Sequence, residues 1–202
     1  MPKANVAATW KDYVILGDIA WKEDPSQPYA DTNSSLYPHG IWFSRPGTAD
    51  VWNPDDVFFV GQRGDDNAVL GMFPMEVGLL VVTQSLVVLL RGEPNDFIYE
   101  ELRSGVSPVD GDNVTFWPYA NLVVWLDGND RVWATNGEQV VRLDDSIQME
   151  RSGRGSILAV DDSLFVSDGT EVHVFRSFGD RGAWTTLETP NGAWGKTVAE
   201  GN

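Results

Sequence analysis

The sequence contains no cysteine. That single absence excludes disulfide staples, thiolate nucleophiles, zinc–thiolate sites and iron–sulfur ligation. Histidine is scarce too: His39 and His173 are the only two. A histidine-based triad or metal cage would need partners that spacing alone does not assign. Basic residues are few, with 14 Lys and Arg against 30 Asp and Glu and a net charge of −16. The deficit is −9 over residues 1–101 and −7 over 102–202, so neither half has the clustered cations that release counterions from nucleic acid. An anionic membrane surface repels such a chain. Long apolar runs are missing: the longest, such as Leu86–Leu90, fall far short of the roughly 20 residues that span a bilayer. The stretch from Met1 to Val6 holds no apolar signal-peptide core, so neither export nor membrane insertion is expected. Gly-x-Ser-x-Gly, Walker A and dinucleotide-binding patterns are absent as well.

What is present is apolar and aromatic. Of 202 residues, 42% are hydrophobic and nine are Trp, enough for one substantial core. Segments of four to seven residues rich in Val, Trp, Phe, Tyr and Leu alternate with Gly, Asp, Asn and Pro, and no window sustains a 3.6-residue apolar period with caps. The chain therefore reads as all-β.

A repeat sharpens this. Four octets align on a terminal glycine, Gly40–Gly47, Ser85–Gly92, Asp130–Gly137 and Val172–Gly179, with starts 45, 45 and 42 residues apart. Each follows another apolar strand: Tyr13–Leu16, Leu79–Val82, Leu122–Trp125 and Leu164–Val166. Three of these pairs are joined by short turns, Thr83-Gln84, Asp127-Gly128-Asn129 and Asp168-Gly169-Thr170, as in tight antiparallel hairpins. Flanking strands complete the units: Val6–Thr9, Ala68–Phe73, Val114–Trp117 and Ile157–Val160 before, and Val57–Val60, Phe97–Leu102, Gln139–Leu143 and Trp184–Leu187 after. Four strands in a unit of ~45 residues is the signature of propeller blades. The expectation is a small β-propeller of four four-stranded antiparallel blades, at about 5–61, 67–103, 113–146 and 156–190, in one domain over 1–202; 192–199 serves as a closing strand. A β-sandwich is the alternative. Charged outer strands, such as Tyr99-Glu100-Glu101 and Arg142-Leu143-Asp144-Asp145, discourage edge pairing.

The first unit departs from the others. About 20 residues over 20–39, with three prolines and two tyrosines, replace the short turn, and long insertions on one repeat mark a contact face. Trp21, Tyr29, Tyr37 and His39 are the expected partner-contact residues, because large side chains supply anchor area. Trp42, Trp117, Trp125 and Trp133 fall within strands and are expected in the core. The remaining signals have ordinary readings. Asp110-Gly-Asp112-Asn113 and Asp127-Gly-Asn129-Asp130 are incomplete as calcium loops and fit turns, and Arg63-Gly64-Asp65 lies in an acidic turn. No catalytic residue, cofactor or metal is assigned, and the chain is not expected to be an enzyme.

The run from Tyr37 to Gln62, YPHGIWFSRPGTADVWNPDDVFFVGQ, resembles a pattern in tailed-bacteriophage tail proteins. There a strand ending in Ser-x-Pro-Gly precedes a Trp or Phe segment and then an apolar strand. Val69–Glu93 looks like the following blade of that family, and Ser104–Pro118 like its continuation; the similarity covers about residues 37–145. It implies a β-propeller component of a phage tail: a nozzle, hub or adaptor subunit in the virion. Its partners would be other tail or connector proteins, in a homo-oligomeric ring that lets DNA pass without sequence-specific binding. A carbohydrate- or receptor-binding propeller at a tail tip or cell surface is the alternative, and a hydrolase on the same scaffold is a third reading.

Overall fold

The computed structural model describes residues 3–22, 34–61, 67–94, 96–108, 110–147, 149, 155–169, 171–178 and 181–187. Within them the chain is all-β, with sixteen strands in four four-stranded antiparallel sheets. The only helical pieces among the described residues are 3₁₀ turns at Gly111–Asn113 and Pro118–Ala120. Among the described residues no helix is long and apolar enough to cross a membrane.

Each sheet is a simple meander in chain order, the blade pattern of a small propeller-like fold. The first holds β1 (Lys3–Trp10), β2 (Tyr13–Lys22), β3 (Ser34–Ser44) and β4 (Trp52–Phe59). The second holds β5 (Val69–Met75), β6 (Gly78–Thr83), β7 (Leu86–Glu93) and β8 (Asp96–Ser104). The third holds β9 (Val114–Trp117), β10 (Leu122–Leu126), β11 (Val132–Thr135) and β12 (Val140–Arg142). The fourth holds β13 (Ser156–Val160), β14 (Ser163–Ser167), β15 (Val172–Phe178) and β16 (Arg181–Leu187). Several strands outrun the expected spans, β4 for instance opening at Trp52 and not Val57; the largest extensions are β2, which runs to Lys22, and β3, which starts at Ser34, both inside the stretch expected to be loop. The segment 192–199 lies outside the described residues.

The chain divides into two compact units, Met1–Gly105 and Val106–Asn202, each with two sheets. In the first unit β5 packs against β1, β2 and β3. The core between these sheets combines Trp10, Ile15, Ile41 and Phe43 with Val69, Leu79, Val81, Val88 and Leu90. Every residue of β6 is buried, which explains its uninterrupted apolar sequence: a strand covered on both faces has no polar side to alternate with. Gly78 lets this strand start where it does. Its φ is +154° and a Cβ there would lie 2.5 Å from the Leu90 carbonyl oxygen, an approach that only glycine permits.

In the second unit β13 packs against β9 and β10, and Trp117, Val124, Leu126, Ile157, Leu164 and Val166 form the core. Two indoles join its sheets by hydrogen bonds: Trp117 Nε1 donates to the Asp161 carbonyl at 2.8 Å, and Trp184 Nε1 to the Leu143 carbonyl at 2.8 Å. The Phe175 ring sits between them, edge-on to Trp117 and tilted against Trp184, and it covers Gly182, where a Cβ would meet the ring. Trp42, Trp117, Trp125 and Trp133 are all buried.

Candidate functional site

The first unit carries a groove of about 520 Å³ lined by Phe58, Phe59, Gly61, Ser85, Leu86, Tyr99 and Glu101. Three strands build it. The end of β4 supplies the two phenylalanines, the β6–β7 turn supplies Ser85, and the start of β7 supplies Leu86. The outer strand β8, which has no buried residue, supplies Tyr99 and Glu101. A register shift at Val87/Val88 sets Glu101 opposite Val88. Aromatic faces beside a hydroxyl and a carboxylate suit a ligand with both apolar and hydroxylated surface.

Tyr99, 39% exposed and covered in part by the groove, titrates above its ordinary value of 10.0, chiefly because this partial burial disfavours the phenolate and secondarily because Glu101 repels it. The folded state holds this proton more tightly than the unfolded chain, so the contribution is complete below the unfolded-state pKa and is lost as pH rises through the folded one. Alkaline titration of tyrosine absorbance, with Tyr99→Phe to assign the transition, checks this. Glu101→Gln should move the Tyr99 transition toward lower pH yet leave it above the ordinary value, because burial remains.

The structure treats the four expected contact residues differently. Trp21 lies in β2, paired with Ser35 of β3. Tyr29 lies outside the described residues, as does Arg63-Gly64-Asp65. Tyr37 and His39 fall two apart on β3 and meet the same ring: their centroids are 5.6 and 5.2 Å from that of Phe59. His39 is 3% exposed, and among the described residues neither of its ring nitrogens has a hydrogen-bond partner. Phe59 thus links the base of the long β2–β3 hairpin to the groove. Sequence reasoning missed the groove because Phe58 and Tyr99 are brought together only by packing of two sheets.

A second arrangement recurs in the second unit, at the turns between the middle strands. In the third sheet Asp127 accepts from the amides of Asn129 and Arg131 through Oδ1, at 2.7 and 3.1 Å, and from Trp133 Nε1 through Oδ2, at 3.0 Å. In the fourth, Asp168 Oδ1 accepts from the Glu171 amide at 2.8 Å, and Oδ2 lies 3.2 Å from His173 Nε2. The other ring nitrogen, Nδ1, is 3.0 Å from Thr186 Oγ1 on β16. Hairpin register makes the two turns equivalent, because Leu126 pairs with Val132 as Ser167 pairs with Val172. His173 therefore corresponds to Trp133, not to Arg131 as alignment on the octet glycines implies. In the second sheet the equivalent place belongs to Thr83, whose hydroxyl accepts from the Leu86 amide at 3.0 Å.

No protein-family model matches the sequence, and no curated protein matches it. Among solved structures, the chain is similar to the crystal structure of a protein from Lactobacillus plantarum. Sequence identity is 14% and the TM-score 0.48, over 93% of this chain and 70% of that one.

Proposed function

We propose that this protein is a structural subunit of a tailed-bacteriophage tail, at the nozzle, hub or an adaptor, and that it works by assembling with other tail proteins and not by catalysis. The observation that carries the reading is the corner between β3 and β4, where the residues of the phage-like run act together. Ser44 ends β3, and its hydroxyl accepts from the Val14 amide at 2.9 Å. Gly47 turns with φ +71° and donates its amide to the Asp12 carbonyl at 2.8 Å. Trp52 opens β4 and packs edge-on against Trp42, with centroids 5.6 Å apart. Ser-x-Pro-Gly followed by Trp is thus a device for closing a blade's outer hairpin, which gives the motif a physical reason to recur in proteins built from such blades. The charge of −16, multiplied around a ring, makes a surface to which DNA phosphates do not adhere. That suits a subunit of the virion tail.

In this reading the β2–β3 hairpin carries the partner contact, with Trp21, Tyr29, Tyr37 and His39 as its anchor residues. Replacing residues 23–33 with a two-residue Asn-Gly turn should leave strand content and tryptophan fluorescence unchanged and abolish incorporation into tail particles. Normal incorporation of that variant would sink the assignment. The groove favours a second reading, a carbohydrate- or receptor-binding module. Saturable glycan binding that disappears in Tyr99→Ala would put that reading first.

A further inference from the structure

We propose that the turn between β14 and β15 binds a divalent transition-metal ion of the zinc class, through Asp168 Oδ2, a carboxylate oxygen of Glu171 and His173 Nε2. Donor atoms of these three residues lie within 4.8 Å of one another. The 3.2 Å between Asp168 Oδ2 and His173 Nε2 is close to the ~3.4 Å separating two ligands of a tetrahedral ion with ~2.1 Å bonds. One imidazole with two carboxylates selects a transition metal over calcium or magnesium, which take oxygen alone.

Both inner ligands are held from behind. Asp168 and His173 are 1% and 2% exposed. The Glu171 amide fixes Asp168 Oδ1 and the Thr186 hydroxyl holds His173 Nδ1, the outer support that metal-binding side chains characteristically have. The hydroxyl serves either ring tautomer. Without metal, Nε2–H donates to Asp168 and Thr186 donates to Nδ1. With metal on Nε2, the ring proton sits on Nδ1 and Thr186 accepts it. Glu171 is exposed, so its carboxylate is the arm that closes the site from the solvent side.

The third sheet supplies the contrast. There the equivalent turn has Asp127, Arg131 and Trp133; Arg131 matches Glu171 because each gives its carbonyl to the preceding aspartate's amide, at 3.0 and 3.2 Å. The Trp133 indole N–H satisfies the Asp127 carboxylate, and neither an indole N–H nor a guanidinium can ligate a cation. The fourth sheet puts an imidazole and a second carboxylate in those two places. A purely structural turn gains nothing from placing the Glu171 charge beside Asp168, whereas a divalent ion balances both.

The test is a titration of the full chain with zinc chloride by calorimetry and with cobalt(II) by visible absorption. The expected result is one ion per chain with a tetrahedral cobalt spectrum. Affinity should fall at least tenfold in Glu171→Gln, an exposed change that leaves the fold intact, and should be unchanged in Glu138→Gln on the third sheet. His173→Gln, which keeps a donor for Asp168, should remove the cobalt spectrum. Absence of saturable binding, or equal affinity in Glu171→Gln, overturns the proposal.

Discussion

Replacing Trp117 with alanine should destabilise the second unit by about 3–5 kcal/mol, the range for truncating a buried tryptophan. The indole is 0% exposed, so the whole side chain leaves a cavity that flanking β-strands cannot close by shifting separately. Its ring also supports Phe175, which in turn covers Gly182. Loss of the hydrogen bond to the Asp161 carbonyl is the smaller part, because that carbonyl belongs to an exposed turn that water reaches and such bonds contribute about 1 kcal/mol net. Trp117→Phe should therefore recover more than half of the loss. Urea unfolding followed by circular dichroism measures both. A cost below about 1 kcal/mol for the alanine variant would mean that the core does not close around this ring.

Asp127→Ala should cost about 3–5 kcal/mol, by a different route. Three donors lose their acceptor at once: two turn amides and the Trp133 indole N–H. Asp127 and Trp133 are 6% and 7% exposed, so little water reaches the orphaned indole, and an unsatisfied buried donor costs about 1–3 kcal/mol by itself. Asp127→Asn separates the contributions. Its amide oxygen still serves the turn, but its NH₂ then faces the indole N–H, donor against donor. That variant should fall between wild type and Asp127→Ala in thermal unfolding. If asparagine is as costly as alanine, charge and not acceptor geometry holds the turn.

Most of the fold is legible in the sequence, for a reason specific to this topology. A meander pairs only consecutive strands, so apolar segments and turn residues are almost the entire code. Asp127-Gly128-Asn129 reads as a turn and is one, with the aspartate accepting from the amides just ahead of it. Strand length is less legible. Ala20 to Lys22 and Ser34 to Tyr37 look like loop because Pro and polar residues surround them, yet pairing from Ile19–Tyr37 to Lys22–Ser34 carries the ladder outward.

The side-chain groupings are the least legible part. Aligning the octets on their last glycine puts His173 opposite Arg131, because β15 is seven residues long and β11 four. Only hairpin register shows that His173 replaces an indole beside a buried carboxylate. The groove requires Phe59 and Tyr99, forty positions apart in different sheets, to line one space, and nothing local in either segment announces it.

The meander has a consequence for how the protein is made. Among the described residues no pairing within a sheet reaches farther along the chain than that of Ile15 with Phe43, so the described strands of each sheet have their ladder partners once its last strand has left the ribosome. Ordering such short closures is entropically cheap and fast compared with the distant pairings of a Greek key. The nascent chain can assemble sheet by sheet in the order of translation. Besides the outer edge of its first strand, a growing sheet leaves open only the edge of its newest strand, so the interval in which an inner apolar strand such as β6 stays unpaired is short.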